Sequence, residues 1–163
     1  IYVGENARCE FSGVTLASKG LNLDTGASGI PAAPHATAKI TARTIPKAGG
    51  KATYRSAVKV TPNAHHAKCS VNCESLMLDD LSRSDTLPVM DIQGDEADIG
   101  HEATIGRISE EAVFYLMCRG ISEEEARAMI VRGFVEPIAK ELPLEYAVEM
   151  NNLINIELEG TMG

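Results

Sequence analysis

The pattern of apolar and polar positions changes once along the chain, close to residue 109. Before that point, apolar residues alternate with polar ones in short runs, which is typical of half-buried strands. The clearest run is 53–60, where one face would hold Tyr54, Ser56, Val58 and Val60. Further strands are predicted at 7–18, 76–78, 89–92 and 97–108, with turns at 24–26, 47–50, 61–63 and 93–95. Such a series fits a sandwich, a barrel or a β-solenoid, and the pattern alone does not choose among them.

After residue 108 the period becomes helical. Ser109 can cap a first helix, whose opening turn carries two glutamates suited to the positive end of the helix dipole. Ser122 and Glu125 form a capping box for a second helix, and a third is predicted near the chain's end. The helix ends and starts are expected at residues that break or begin helices: Gly120, Gly133, Pro137 and Pro143. The sequence therefore predicts a β body followed by a helical tail.

Composition and charge narrow the class of protein. The chain has 163 residues, 44% of them hydrophobic and 23% charged, which is enough for a globular core. No stretch approaches the ~18 unbroken apolar residues of a membrane span. The net charge of −8 argues against general nucleic-acid binding. The chain opens without Met, so we interpret it as a piece of a longer protein.

Charge is distributed unevenly along the chain. Residues 109–163 hold eleven acids and four bases, whereas 39–68 holds seven bases and no acid. An acidic helical module would attract basic partners. The alternative for either run is a solvated surface without a partner.

Four cysteines are the most reactive side chains in the sequence: Cys9, Cys69, Cys73 and Cys118. Without a secretory signal, reduced thiols are expected instead of a disulfide framework. On a strand, Cys69 and Cys73 would lie about 13 Å apart, too far for one small metal site. Cys118 lies in the first predicted helix, and its side chain is expected in the hydrophobic core. We find no P-loop, no dinucleotide-binding glycine motif and no Ser-His-Asp arrangement.

Several segments, in order along the chain, carry a family resemblance. They are the runs TYRSAVKV at 53–60, NCESL at 72–76, SDTLP at 84–88, GHEAT at 100–104 and the long stretch from FYLMCRG at 114 to 160. Together they resemble the C-terminal part of SufB, in the SufB/SufD family of the SUF system for iron–sulfur cluster assembly. The resemblance covers essentially the whole chain.

This resemblance implies a fold and a function. The fold is a mainly β chain, with a right-handed parallel β-helix (a β-solenoid) in 1–108, itself the end of a longer core, and a small C-terminal α-helical domain in 109–163. The function is a non-enzymatic, cytoplasmic scaffold that builds a transient iron–sulfur cluster and passes it on. The implied partners are the SufC ATPase, SufD or a second SufB, and sulfur donor proteins that act through the full-length chain. A flavin in the full complex is left open, and neither nucleic acid nor membrane is implied.

The resemblance also assigns site residues. Cys73 matches the family cysteine needed for cluster assembly, Glu102 matches a glutamate implicated in it, and His101 precedes that glutamate. The alternatives are a small buried thiol, a solvated acid and an ordinary core or surface histidine. Adjacent strand residues face opposite sides, so His101 and Glu102 share one pocket only across a bulge. One thiolate does not hold a cluster, so the other ligands are expected from another chain or from small molecules.

The helical tail is expected to dock SufC. The residues expected at that surface are Phe114, Arg119, Gly120, Ser122, Met129 and Phe134. Two other functions stay open. A structural SufD-like subunit is disfavoured by the cysteine at 73 and the glutamate at 102, and a β-solenoid enzyme, for which the Asp79-Asp80 pair could be cited, is disfavoured by the tail.

Overall fold

The strand-rich part of the chain is a parallel β-solenoid. A computed structural model describes residues 1–159, and its strands are β1 (Arg8–Ala17), β2 (Asn22–Gly29), β3 (Thr37–Pro46), β4 (Lys51–Val60), β5 (Lys68–Met77), β6 (Arg83–Ile92) and β7 (Asp98–Arg107). The odd-numbered strands form one sheet in the order β1-β3-β5-β7, and the even-numbered strands form a second, β2-β4-β6. Every pairing in both sheets is parallel. The predicted β-solenoid followed by helices is confirmed.

The register fixes which residues are neighbours. Thr37 pairs with Lys68, and Lys68 with Asp98, so one coil takes about 30 residues. Alternate side chains face the interior between the two sheets, which is lined by small and aliphatic residues. The buried inward positions of β4 and β5 are Ala52, Tyr54, Ser56, Val58, Val60, Cys69, Val71, Cys73 and Ser75. The alternation predicted for 53–60 is confirmed.

The local pattern misses four strands in whole or in large part: β2, β3, residues 68–75 of β5 and residues 83–88 of β6. The predicted turn at 24–26 is wrong, because these residues lie inside β2. Asp24 pairs with the Arg55 guanidinium in the next coil, at 2.9 Å. A Cβ on Gly26 would stand 2.2 Å from the Arg55 carbonyl oxygen, so this strand needs glycine for close stacking. Long-range pairing therefore overrides turn-forming composition here.

The tail forms helices α1 (Glu110–Met117), α2 (Glu123–Ala139) and α3 (Leu144–Glu159). The Ser109 and Ser122 hydroxyls accept bonds from the Ala112 and Glu125 amides, so both serine caps are confirmed. The Glu125 carboxylate pairs with Arg132, so only the serine half of the predicted capping box is formed. The predicted end of the second helix at Gly133 is wrong, as is the boundary at 137. Burial of one face through Val131, Val135 and Ile138 outweighs the cost of Gly and Pro inside α2. No helix in residues 1–159 combines the length and the apolar character needed to cross a membrane.

Helices α2 and α3 cover the outer face of the odd-numbered sheet. Ile45 of β3 is fully buried beneath Val135 of α2 and Ile154 of α3, and side chains of β1 and β5 complete this cluster. Ser18 donates to Glu157 of α3 at 2.6 Å. The helices and the solenoid thus share a core. The last four residues of the predicted helical domain, 160–163, lie outside the described residues.

Five of the seven bases in the basic run lie on the outer faces of β3 and β4: Lys39, Arg43, Lys51, Arg55 and Lys59. Several of these side chains pair with acids of adjacent coils, as in Lys39 with Glu10 and Lys59 with Asp91 at 3.5 Å. These pairs are exposed and each stabilises the fold little. The solvated-surface interpretation therefore accounts for the exposed members of this run, whereas the side chains of Arg43 and Lys47 are only 12% and 5% exposed.

Candidate functional site at the last solenoid coil

Strand β5 places Cys73 inside the solenoid. Its side chain is 3% exposed, as is that of Cys69 on the same inward face. Burial raises the pKa of both thiols to about 11, because a thiolate loses solvation there. Cys73 is therefore a neutral thiol at neutral pH, and a metal that binds it must displace a proton.

Strand β7 separates the two other predicted ligands. His101 pairs with buried Val71, so it faces the interior, while Glu102 pairs with Asn72 and faces outward. Cys73 and His101 are then diagonal neighbours on one face, with Cα atoms roughly 8 Å apart from strand spacing and rise. Glu102 lies on the other side of the same sheet. The structure places the thiol and the imidazole on the same face of the sheet and the carboxylate on the opposite face.

Two polar atoms near Cys73 are buried without a hydrogen-bond partner in the described structure: His101 Nε2 and the Tyr54 hydroxyl. Tyr54 faces the interior from β4 and belongs to the same buried cluster as Cys73. Burial, and secondly the charge of a Cys73 thiolate, raise the pKa of Tyr54 to about 12. Buried polar groups normally have a hydrogen-bond partner, so the unpaired His101 Nε2 and Tyr54 hydroxyl leave unused hydrogen-bonding capacity in this interior. Sequence reasoning missed Tyr54, whose one signal was its inward phase in 53–60.

The interior is uncovered at the last coil. Strands β6 and β7 end their sheets, and three of their inward apolar side chains are 43% to 50% exposed: Met90, Ile92 and Ile105. Their register partners one coil earlier are at most 5% exposed: Val58, Val60 and Ser75. The apolar end of the solenoid is thus open beside His101.

Within residues 1–159, no group of three or more His, Cys, Asp or Glu side chains is arranged to hold a metal ion.

The prediction that Cys118 belongs to the core is wrong, since this thiol is exposed just after α1. The adjacent histidines at 65–66 lie in a turn. His66 stacks on His35 of the previous coil, with ring centroids 5.1 Å apart, and pairs with Glu96. That ladder packs one turn on the next.

Five of the six residues expected at the docking surface lie at the exposed α1–α2 region: Phe114, Arg119, Gly120, Ser122 and Met129. Phe114 is 67% exposed, and the Arg119 guanidinium stacks on Tyr115 at 3.7 Å. Phe134 differs, because it packs against the solenoid beneath Arg43. It therefore contacts the chain's own sheet.

Residues 1–134 match the family described as "SUF system FeS cluster assembly, SufBD core domain". The chain belongs to the SufBD core family. The match spans the whole solenoid, α1 and most of α2, so the family similarity includes the two adjacent strands that carry Cys73 and His101.

Curated relatives of this SufBD chain support the family assignment, because they too are named as iron–sulfur cluster assembly proteins. The iron–sulfur cluster assembly protein SufB of Bacillus subtilis is 48% identical over all 163 residues, which cover 35% of that protein. A SufBD family protein of Staphylococcus epidermidis is 47% identical over the same length, again 35% of it. A Mycobacterium bovis SufBD family protein is 48% identical over 160 residues, 98% of this chain and 19% of the relative. The chain thus spans between a fifth and about a third of these proteins.

Burial of Cys73 predicts a reactivity contrast among the thiols. At about pH 8, we expect iodoacetamide to modify exposed Cys118 about 100-fold faster than Cys73 or Cys69, because attack needs an accessible thiolate. Peptide mass spectrometry of the native chain measures all three rates. Comparable rates for Cys73 and Cys118 would mean that the interior at β5 is open to solvent.

Proposed function

We propose that this chain is the C-terminal part of a SufB-like scaffold that builds a transient iron–sulfur cluster and passes it on, and is not itself an enzyme. The observation that carries the proposal is that Cys73 and His101 are diagonal neighbours on one interior face, next to the uncovered last coil. The similarity to the B. subtilis protein named SufB supports it.

The chemistry of these side chains suits iron and sulfide. Thiolate and imidazole both bind iron, and the unpaired His101 Nε2 is free of a competing bond in the described structure. Cys73 is the proposed thiolate ligand and loses its proton as iron binds. Glu102 is proposed to bind incoming iron on the outer side of β7, since the strand separates it from Cys73.

The missing ligands are assigned to a partner that covers the open coil. A cluster usually takes four protein ligands, more than the interior face of this chain offers. The free edges of β6 and β7, with the exposed apolar residues beside them, form a surface for a second β-solenoid subunit. We propose SufD or a second SufB as that subunit, which places the cluster between two chains.

The helical domain, residues 109–163, is the proposed docking site for the SufC ATPase. Its exposed α1–α2 region offers the aromatic Phe114, the stacked Arg119 and the apolar Met129 around the turn at Gly120. ATP hydrolysis then belongs to SufC, and closure of its subunits moves helices that share a core with the odd-numbered sheet. We place the assembly in the cytoplasm, with sulfur supplied by donor proteins through the full-length chain.

Anaerobic reconstitution tests this function. The full-length protein, assembled with SufC and its solenoid partner, is expected to develop iron–sulfur charge-transfer absorption when ferrous iron and sulfide are supplied. The same protein without its solenoid partner serves as the control and should develop much less. Absence of the absorption in a fully assembled complex would contradict a scaffold role.

A further inference from the structure

Arg43 links helix α2 to the solenoid. It points outward from β3, and its guanidinium donates to the main-chain carbonyl of Phe134. The same guanidinium pairs with Glu74 of β5 at 2.8 Å and lies 5.1 Å from the centre of the Phe134 ring. Its side chain is only 12% exposed. One side chain therefore holds both a helix and a strand.

The contacts continue from Glu74 towards the candidate site. Glu74 directly follows Cys73 in β5, and its carboxylate accepts a bond from the Asn72 side-chain amide at 3.2 Å. Asn72 is the register partner of Glu102 on β7. A polar chain thus runs along the outer face from α2, through Arg43 and Glu74, to the row that holds Glu102.

The type of contact distinguishes Arg43 from the rest of the helix–sheet interface. Apolar contacts, such as those around Ile45, are non-directional and permit small shifts. A planar guanidinium fork fixes the direction of both of its partners. The Arg43 Nε is buried and has no partner in the described structure, so the two outer nitrogens hold the side chain in this pose.

We propose that Arg43 is a positioning residue that transmits the position of helix α2 to strand β5 and to the Glu102 row. It touches neither Cys73 nor the cargo and acts through Glu74 and Asn72. The inference rests on the proposed function for its purpose, because β5 carries the proposed ligand. The mechanical link itself is a property of this chain alone.

Amide hydrogen exchange tests the link without partners or iron. In Arg43→Lys, the ammonium keeps the charge beside Glu74 but cannot hold both partners in a fork. We expect amides at 72–75 and 101–103 to exchange about fivefold faster or more, with β4 amides unchanged. The control is Lys39→Gln. Lys39 lies on the same strand as Arg43, and this change removes its exposed ion pair with Glu10. It should leave the exchange rates at 72–75 and 101–103 at their wild-type values.

Two results for Arg43→Lys would overturn the link. One is amide exchange in β5 and β7 at the wild-type rate, and the other is faster exchange in every strand of the solenoid. A second readout separates positioning from a purely structural role. In the complex assembled with SufC, Arg43→Lys should keep the ATPase affinity while slowing cluster build-up about tenfold. Equal slowing by Lys39→Gln, or unchanged build-up in Arg43→Lys, would contradict transmission. If the wild-type complex builds no cluster, the proposed function fails, and the exchange result still decides the link.

Discussion

Cys73→Ala is expected to abolish cluster build-up in the assembled complex, whereas Cys69→Ala is expected to retain it. Cys69 is a closely matched control, because it lies on the same face of β5, is equally buried and has the same raised pKa. The two thiols are about 13 Å apart along the strand, so they do not share one small site. Cys73 also has the unpaired His101 imidazole as its diagonal neighbour.

Iron and acid-labile sulfide per complex measure this difference, with thermal unfolding of each variant as a check on folding. Equal loss in both variants, together with a lowered unfolding temperature, would show that the effect is one of packing. Full cluster content in Cys73→Ala would favour the alternative of a structural SufD-like subunit.

Phe114→Ala is expected to weaken SufC binding about tenfold or more, because exposed aromatic side chains are frequent anchors of protein interfaces. The matched control is Tyr146→Ala, since Tyr146 is also an aromatic residue, also 67% exposed, on α3. Neither side chain belongs to the buried clusters, so both variants should unfold at the wild-type temperature.

Titration calorimetry at low and moderate salt gives both affinities. If binding survives moderate salt, the acidic charge of the helical domain mainly speeds the approach of the partner and contributes little to the stability of the bound complex. A loss on Tyr146→Ala with none on Phe114→Ala would move the docking surface to α3.

Local signals in the sequence predicted the elements whose stability is local. The serine caps of α1 and α2 and the alternation at 53–60 are of this kind. Strand β2 could not be found this way, because it is stabilised by pairing with β4 about 30 residues later. The end of α2 does not follow from local signals for a similar reason, since contacts with the sheet extend this helix past Gly133.

The candidate site shows the same division. Strand geometry alone predicted that His101 and Glu102 diverge, and the register then assigns the inner face to His101. The contributions of Tyr54 and Arg43 depend on contacts across coils and with a helix. The exposure of Cys118 does not follow from the sequence, because the pattern of a single helix does not reveal which of its faces other elements cover.

X-ray absorption of a selenium atom introduced at position 73 tests most directly whether this residue binds the iron of the cluster. With selenocysteine in place of Cys73, the reconstituted complex is predicted to show an iron scatterer at bonding distance from selenium. The same substitution at Cys69 supplies the reference, in which selenium should see only light atoms. A spectrum for position 73 that matches this reference, in a complex that has taken up iron and sulfide, would contradict the central claim that Cys73 holds the cluster.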